Sequence, residues 1–133
     1  MQLPRRKQRE ILLQLLFAWE VGDPSLELIM DAVEVSKKNV LDVEGWLQKL
    51  LVHIQKIDDI LTHSSHSYSL ERISLIDKNV LRIAIFEMIF EEGEPKIVIE
   101  EALRLSKKFS SPEAVSYVHA VIDEVCQNAR ASV

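Results

Sequence analysis

Apolar residues recur at helical spacing along most of the chain. Ile11, Leu12, Leu15, Leu16 and Trp19 form the first stripe and predict a helix over about 7–21. Gly22-Asp23-Pro24 ends it, with Asp23 placed to cap a second helix and Pro24 at that helix's first position. The second helix carries Leu26, Ile29, Met30 and Val33, then fades into the polar Ser36-Lys37-Lys38-Asn39. Val43, Leu47, Leu50, Ile54, Ile57 and Leu61 alternate steps of four and three, the fullest stripe in the chain. They predict one long helix from Asp42, its N-cap, to about Thr62. His63-Ser64-Ser65-His66-Ser67 follows as a loop or hinge between two halves, about 1–66 and 67–133.

The second half opens with a short turn at Ser69-Leu70-Glu71-Arg72. Ser74 and Asp77 then give a start signal close to a capping box. The helix they begin, to about Phe90, is apolar nearly all round: Ile76, Val80, Leu81, Ile83, Ala84, Ile85, Phe86, Met88 and Ile89. Such a helix belongs at the centre of a fold. Glu91-Glu92-Gly93-Glu94-Pro95 breaks it. Another helix carries Ile99, Ala102, Leu103, Ser106 and Phe109. Ser111-Pro112 caps and starts the last one, with Val115, Val118, Val121, Ile122 and Val125 inward. No strand-length alternation interrupts the series, so the expected fold is all-α, about seven helices.

Composition narrows this little further. At 133 residues the chain suits one domain with a core large enough to need no disulfide or metal. Apolar residues make up 47% but aromatics only 6%, so the core is aliphatic, as packed helices allow. One cysteine, Cys126, excludes an internal disulfide and is compatible with a reducing compartment. No signal-like run and no stretch of about 18 apolar residues is present, so no membrane role is read. A soluble, cytoplasmic protein is expected.

The chemistry on offer is sparse. Three glycines leave no Walker-type or dinucleotide loop. His53, His63, His66, His119 and Cys126 lack the spacing of a zinc site, and the pair His63/His66 reads as solvated. Cys126 reads as a small packing residue, and Asp58-Asp59 as adjacent residues on different helix faces. No metal, cofactor or enzyme site is expected. The formal net charge of −5 argues against nucleic acid in bulk. The distribution argues otherwise: Arg5, Arg6, Lys7 and Arg9 crowd one end, and a phosphate senses charge only within about 8–10 Å. Lys107 and Lys108 form a second group, and Tyr117 lies on the last helix. Arginine forks suit phosphates, and an exposed tyrosine suits stacking on an unpaired base. The other readings stay open here: a solubilising basic tail, lysines that simply favour a helix C-terminus, and a tyrosine in the core.

The ordered motifs carry more than any one residue. Asp77-Lys78-Asn79-Val80-Leu81-Arg82-Ile83-Ala84 with Glu87 resembles the central V-L-R-I-A-x-x-E pattern of the NusB family. Pro95 through Glu101-Ala102 to Lys107-Lys108-Phe109 resembles its P-x-x-V-A-I-N-E-A…L-A-K-x-F signature. Tyr117-Val-His-Ala-Val-Ile-Asp123 stands where the family has F-V-N-G-V-L-D. Arg5-Arg6-Lys7-Gln8-Arg9-Glu10, then Leu15-Leu16-Phe17-Ala18-Trp19-Glu20, is similar to its arginine-rich start. The chain departs from the pattern at Glu100, for Asn, and at His119-Ala120, for Asn-Gly. The resemblance implies a two-part helical bundle and a role in processive antitermination, notably of ribosomal RNA operons. It implies binding of single-stranded boxA RNA together with the ribosomal protein NusE, in the elongating RNA polymerase complex, and allows a homodimer. It further implies Arg5, Arg6, Lys7, Arg9, Lys107, Lys108 and Tyr117 as RNA contacts, and Phe17 and Asp77 on the NusE face. Two other classes remain: a protein-only helical adaptor or homodimer, and an RNA-modifying enzyme, for which no cofactor loop is present.

Overall fold

A computed structural model describes residues 3–22, 26–65 and 73–131. Among these residues there are seven α-helices, one π-helical turn and no strand. They divide into two compact units, 1–52 and 53–133. The capping role expected of Asp23, the loop position of His66 and the turn at Ser69–Arg72 lie outside the described residues.

The first unit holds α1 (Arg5–Val21), α2 (Leu26–Val33) and α3 (Lys37–Val52), each packed against the other two. Helix α1 ends where expected. Gly22 takes a left-handed conformation (φ 75°), which lets its N–H reach the Ala18 carbonyl at 2.9 Å. Ile11, Leu12 and Leu16 are wholly buried, with Val40 and Leu50 of α3. Each such side chain contributes about 1.5–3 kcal/mol on leaving water.

Helix α3 corrects two expectations. It starts at Lys37, not at Asp42, because Ser36 is its cap. The Ser36 hydroxyl accepts the Asn39 N–H at 3.3 Å, and the Ser36 carbonyl accepts the Val40 N–H at 3.2 Å. The polar run therefore opens the helix. The stripe from Val43 to Leu61 is also not one helix: it breaks at His53 (φ −105°, ψ 9°), and α4 (Ile54–Ser64) begins there. The break falls within the stripe without disturbing its spacing, so periodicity could not show it. The two compact units divide at 52/53, and the hinge expected about 66/67 lies outside the described residues. His63 and Ser64 are helical, and Ser64 and Ser65 are buried.

The second unit comprises α4, α5 (Leu75–Ile85) running into a π-helical turn at Phe86–Phe90, α6 (Pro95–Phe109) and α7 (Pro112–Ala131). As its all-round apolar sequence predicts, α5 is central: α4, α6 and α7 all pack on it, and Val80 through Phe86 are buried without interruption. Ser74 caps it, accepting the Asp77 N–H at 3.1 Å. Ser111 does the same for the Ala114 N–H at the start of α7, at 3.2 Å. The buried face of α6 is Val98, Ala102, Leu105 and Ser106, rotated from the expected Ile99, Leu103 and Phe109, which are half-buried. His53 stacks on Phe90 with ring centroids 4.2 Å apart, tying the start of α4 to the π-helical turn.

Candidate nucleic-acid interface

The first basic group belongs to α1. Pro4 precedes the helix and has no side chain that can cap it. Arg5, Arg6 and Lys7 then fill the first turn, where no acidic residue stands. This runs against the helix dipole, which costs a cation there about 0.3–1 kcal/mol. An anion set against these residues would relieve the conflict and meet the outward N–H groups of the turn.

The four cations are not equivalent. Arg5 and Arg6 are exposed. The Arg5 guanidinium lies 3.5 Å from the centroid of the Trp46 ring and donates to Gln8 Oε1 at 3.1 Å. Gln8 in turn donates from Nε2 to the Leu3 carbonyl at 2.7 Å. Arg5 is therefore held against α3. Lys7 is half-buried, its Nζ 3.5 Å from Glu10 Oε1. Arg9 is only 8% exposed and faces inward. Trp46 was not legible as part of a site; its one signal is its place three residues after Val43, on the buried face of α3.

The second group lies in the second unit. Lys107 and Lys108 are exposed on the last turn of α6, and Lys108 Nζ stands 5.4 Å from the Phe109 ring centroid. Tyr117 is half-buried on α7. His119 is exposed, 3.6 Å from Asp123, and Ala120 is half-buried. Glu100 is exposed, whereas Glu101 holds Arg104 through two contacts at 3.0 and 3.1 Å.

The motif residues around α5 are scaffolding. Arg82 makes a two-pronged pair with Asp58, at 2.8 and 3.0 Å, and donates to Asn79 Oδ1 at 2.9 Å. Asp77 is 6% exposed. Its carboxylate accepts the hydroxyls of Ser74 at 2.8 Å, Ser106 at 3.0 Å and Ser110 at 3.0 Å. It ties the start of α5 to the end of α6, and little of it is left for a partner. Phe17, by contrast, is exposed, as are Val21 one turn on and Leu28 on α2. Among the described residues no cluster of three or more His, Cys, Asp or Glu has metal-site geometry. No helix of the described residues is long and apolar enough to cross a membrane.

Helices throughout, a cationic helix start held in place by stacking, and an exposed lysine pair define a class: a small all-α protein with surfaces suited to a polyanion. The comparisons with known proteins give the particular one. The NusB family model matches residues 6–127, and the chain belongs to the NusB family. The transcription antitermination protein NusB of Chlamydia pneumoniae is 34% identical over 129 residues, 93% of this chain and 81% of that protein. The solved structure of T. maritima NusB is 27% identical with a TM-score of 0.75, over 96% of this chain and 93% of that one. A crystal structure of the antitermination factors NusB and NusE with double-stranded RNA is 25% identical. Its TM-score is 0.74, over 93% of this chain and 96% of that one.

Proposed function

We propose that this chain is a transcription antitermination factor. It binds single-stranded boxA RNA together with NusE and joins the elongating RNA polymerase complex, supporting ribosomal RNA transcription. It acts in the cytoplasm, by binding, without an enzymatic step. The observation that carries this reading is the match to the NusB family over residues 6–127. The likeness to a NusB–NusE complex with RNA supports the two partners.

Within the chain, Arg5 and Arg6 are the first RNA contacts, with Lys7 beside them. Lys107, Lys108 and Tyr117 form a second contact group in their own unit. Arg9 supports the start of α1 from inside. Phe17, with Val21 and Leu28, offers apolar surface for NusE, while Asp77 serves the partner only by holding α5 and α6 together. The two units form a single RNA-binding domain.

The same apolar surface would serve a helical adaptor or a homodimer that needs no RNA. Anisotropy of a fluorescent boxA-like RNA, with and without NusE and against a scrambled RNA, separates the two. Tighter, sequence-selective binding with NusE is expected. Equal binding of both RNAs, or none, would leave the adaptor.

A further inference from the structure

Beside the arginine run, the first unit contains a cleft of which the RNA reading above uses only Lys7. It lies between the N-terminal segment and the turn joining α2 to α3. Two adjoining cavities, of about 490 and 270 Å³, share Leu3 and Asn39 in their linings. Met30 and Val35 add apolar wall to the larger one, and Val43 to the smaller.

The polar groups are mixed in kind. Asp31 and Glu34 line the larger cavity and Asp42 the smaller. Asn39 lines both, and its orientation is set. Its Oδ1 accepts the Ser36 hydroxyl at 2.8 Å, so its Nδ2 is the end turned to other acceptors. No described residue takes a hydrogen bond from that Nδ2. Lys7 lines the larger cavity and Lys38 the smaller, so a cation stands at each. Lys7 also belongs to the run that begins α1, which makes the cleft continuous with the cationic helix start.

Apolar walls suit the faces of a planar ring. A carboxylate and an amide donor lining one cavity suit a ring edge that offers an amino group next to an acceptor atom. Flanking lysines suit the phosphates of the same strand. Bare carboxylates would repel a phosphate, so the cleft favours a base over the backbone. They cannot donate, which disfavours an edge made mainly of carbonyls. Unstacked bases in single-stranded RNA are read in this way, by wall contact and edge hydrogen bonds.

We propose that this cleft takes one unstacked nucleobase of the bound RNA, a base with an exocyclic amino group. Asp31 or Glu34 accepts from that amino group, and Asn39 Nδ2 donates to the neighbouring ring acceptor. The inference rests on the RNA-binding reading and adds to it a base-selective contact next to a charge-selective one.

The test is a position scan. A fluorescein-labelled single-stranded boxA-like RNA is replaced one nucleotide at a time by uridine or by an abasic nucleotide. Affinity is read with the full chain and NusE. The wild type is expected to lose roughly fivefold to a hundredfold at one amino-bearing position, the range of a good paired base contact. Asn39→Ala, and at least one of Asp31→Asn and Glu34→Gln, should shrink that position's penalty, leaving the other positions and the salt slope as they were. Circular dichroism checks each variant's helix content, and the two carboxylate changes keep shape should Asn39→Ala weaken α3. A penalty that survives in all three variants overturns the base site alone, with RNA binding and its dependence on Arg5 and Arg6 intact. Absence of RNA binding by the wild type overturns both readings.

Discussion

Single residues decide which of the basic and acidic positions face outward. Arg5, Arg6 and Arg9 read alike in the sequence, but Arg9 is buried and the other two are exposed. Reversing Arg9 would place an acid inside, so the informative change is at Arg5 and Arg6. Trp46 gives Arg5 its position. Trp46 itself is buried, and Trp46→Leu keeps an apolar residue there while removing the ring under the exposed Arg5 cation, a contact worth about 0.5–1 kcal/mol where the cation stays in water. RNA affinity should fall roughly two- to fivefold with little change in the slope against salt, as anisotropy would show. Asp77 belongs to the fold. Asp77→Ala deprives three hydroxyls of their acceptor and should cost about 1–3 kcal/mol in urea unfolding. NusE binding per folded molecule should stay unchanged. A loss of NusE affinity with no loss of stability would place Asp77 on the partner face after all.

At the scale of elements, caps and breaks matter more than stripes. Ser36 starts α3 and also orients Asn39. Ser36→Ala should lower stability by about 1 kcal/mol, measured as a shift in urea midpoint. Helix α5 is the element on which the second unit depends. Leu81 is wholly buried there, and Leu81→Ala should cost about 2–5 kcal/mol. A similar truncation at exposed Ile97 on α6 should cost far less. Below α5, Gly93 comes close to the π-helical turn. Its N–H reaches the Glu87 carbonyl at 2.7 Å, and a Cβ would stand 3.0 Å from that oxygen and from Val98 Cγ2. The expected acidic loop is thus folded tightly back on the preceding helix.

For the whole molecule, charge placement outweighs net charge. The sum is −5, yet the start of α1 is cationic and its first turn holds no acidic residue. Binding of single-stranded RNA should weaken with salt by a log–log slope near −0.7 for each phosphate neutralised. Arg5→Glu with Arg6→Glu should flatten the slope by about one to two such units. An unchanged slope would remove the α1 cluster from the interface. The apolar surface at Phe17, Val21 and Leu28 gives the matching prediction for NusE. Phe17→Ala should weaken the complex in sedimentation while leaving RNA binding by the chain alone unaltered.

The sequence by itself determined the helical class, most of the helix ends and the identity of the central helix. Those follow from spacing, from capping residues and from an apolar surface that has no other way to leave water. The motifs from Asp77 to Phe109 also carried the family. What only the tertiary structure decided concerns partners distant in sequence. An unbroken stripe from Val43 to Leu61 conceals a one-residue break, because periodicity records which face is apolar and not what covers it. Four neighbouring cations separate into exposed and buried only once α1 has packed. Asp77 looks like a cap from three residues away, and becomes a three-hydroxyl anchor only when α6 brings Ser106 and Ser110 to it. The stacking of Arg5 on Trp46 and the cleft around Asn39 join residues separated by more than 30 positions. No local rule reaches that far, since such contacts exist only after the chain has closed on itself.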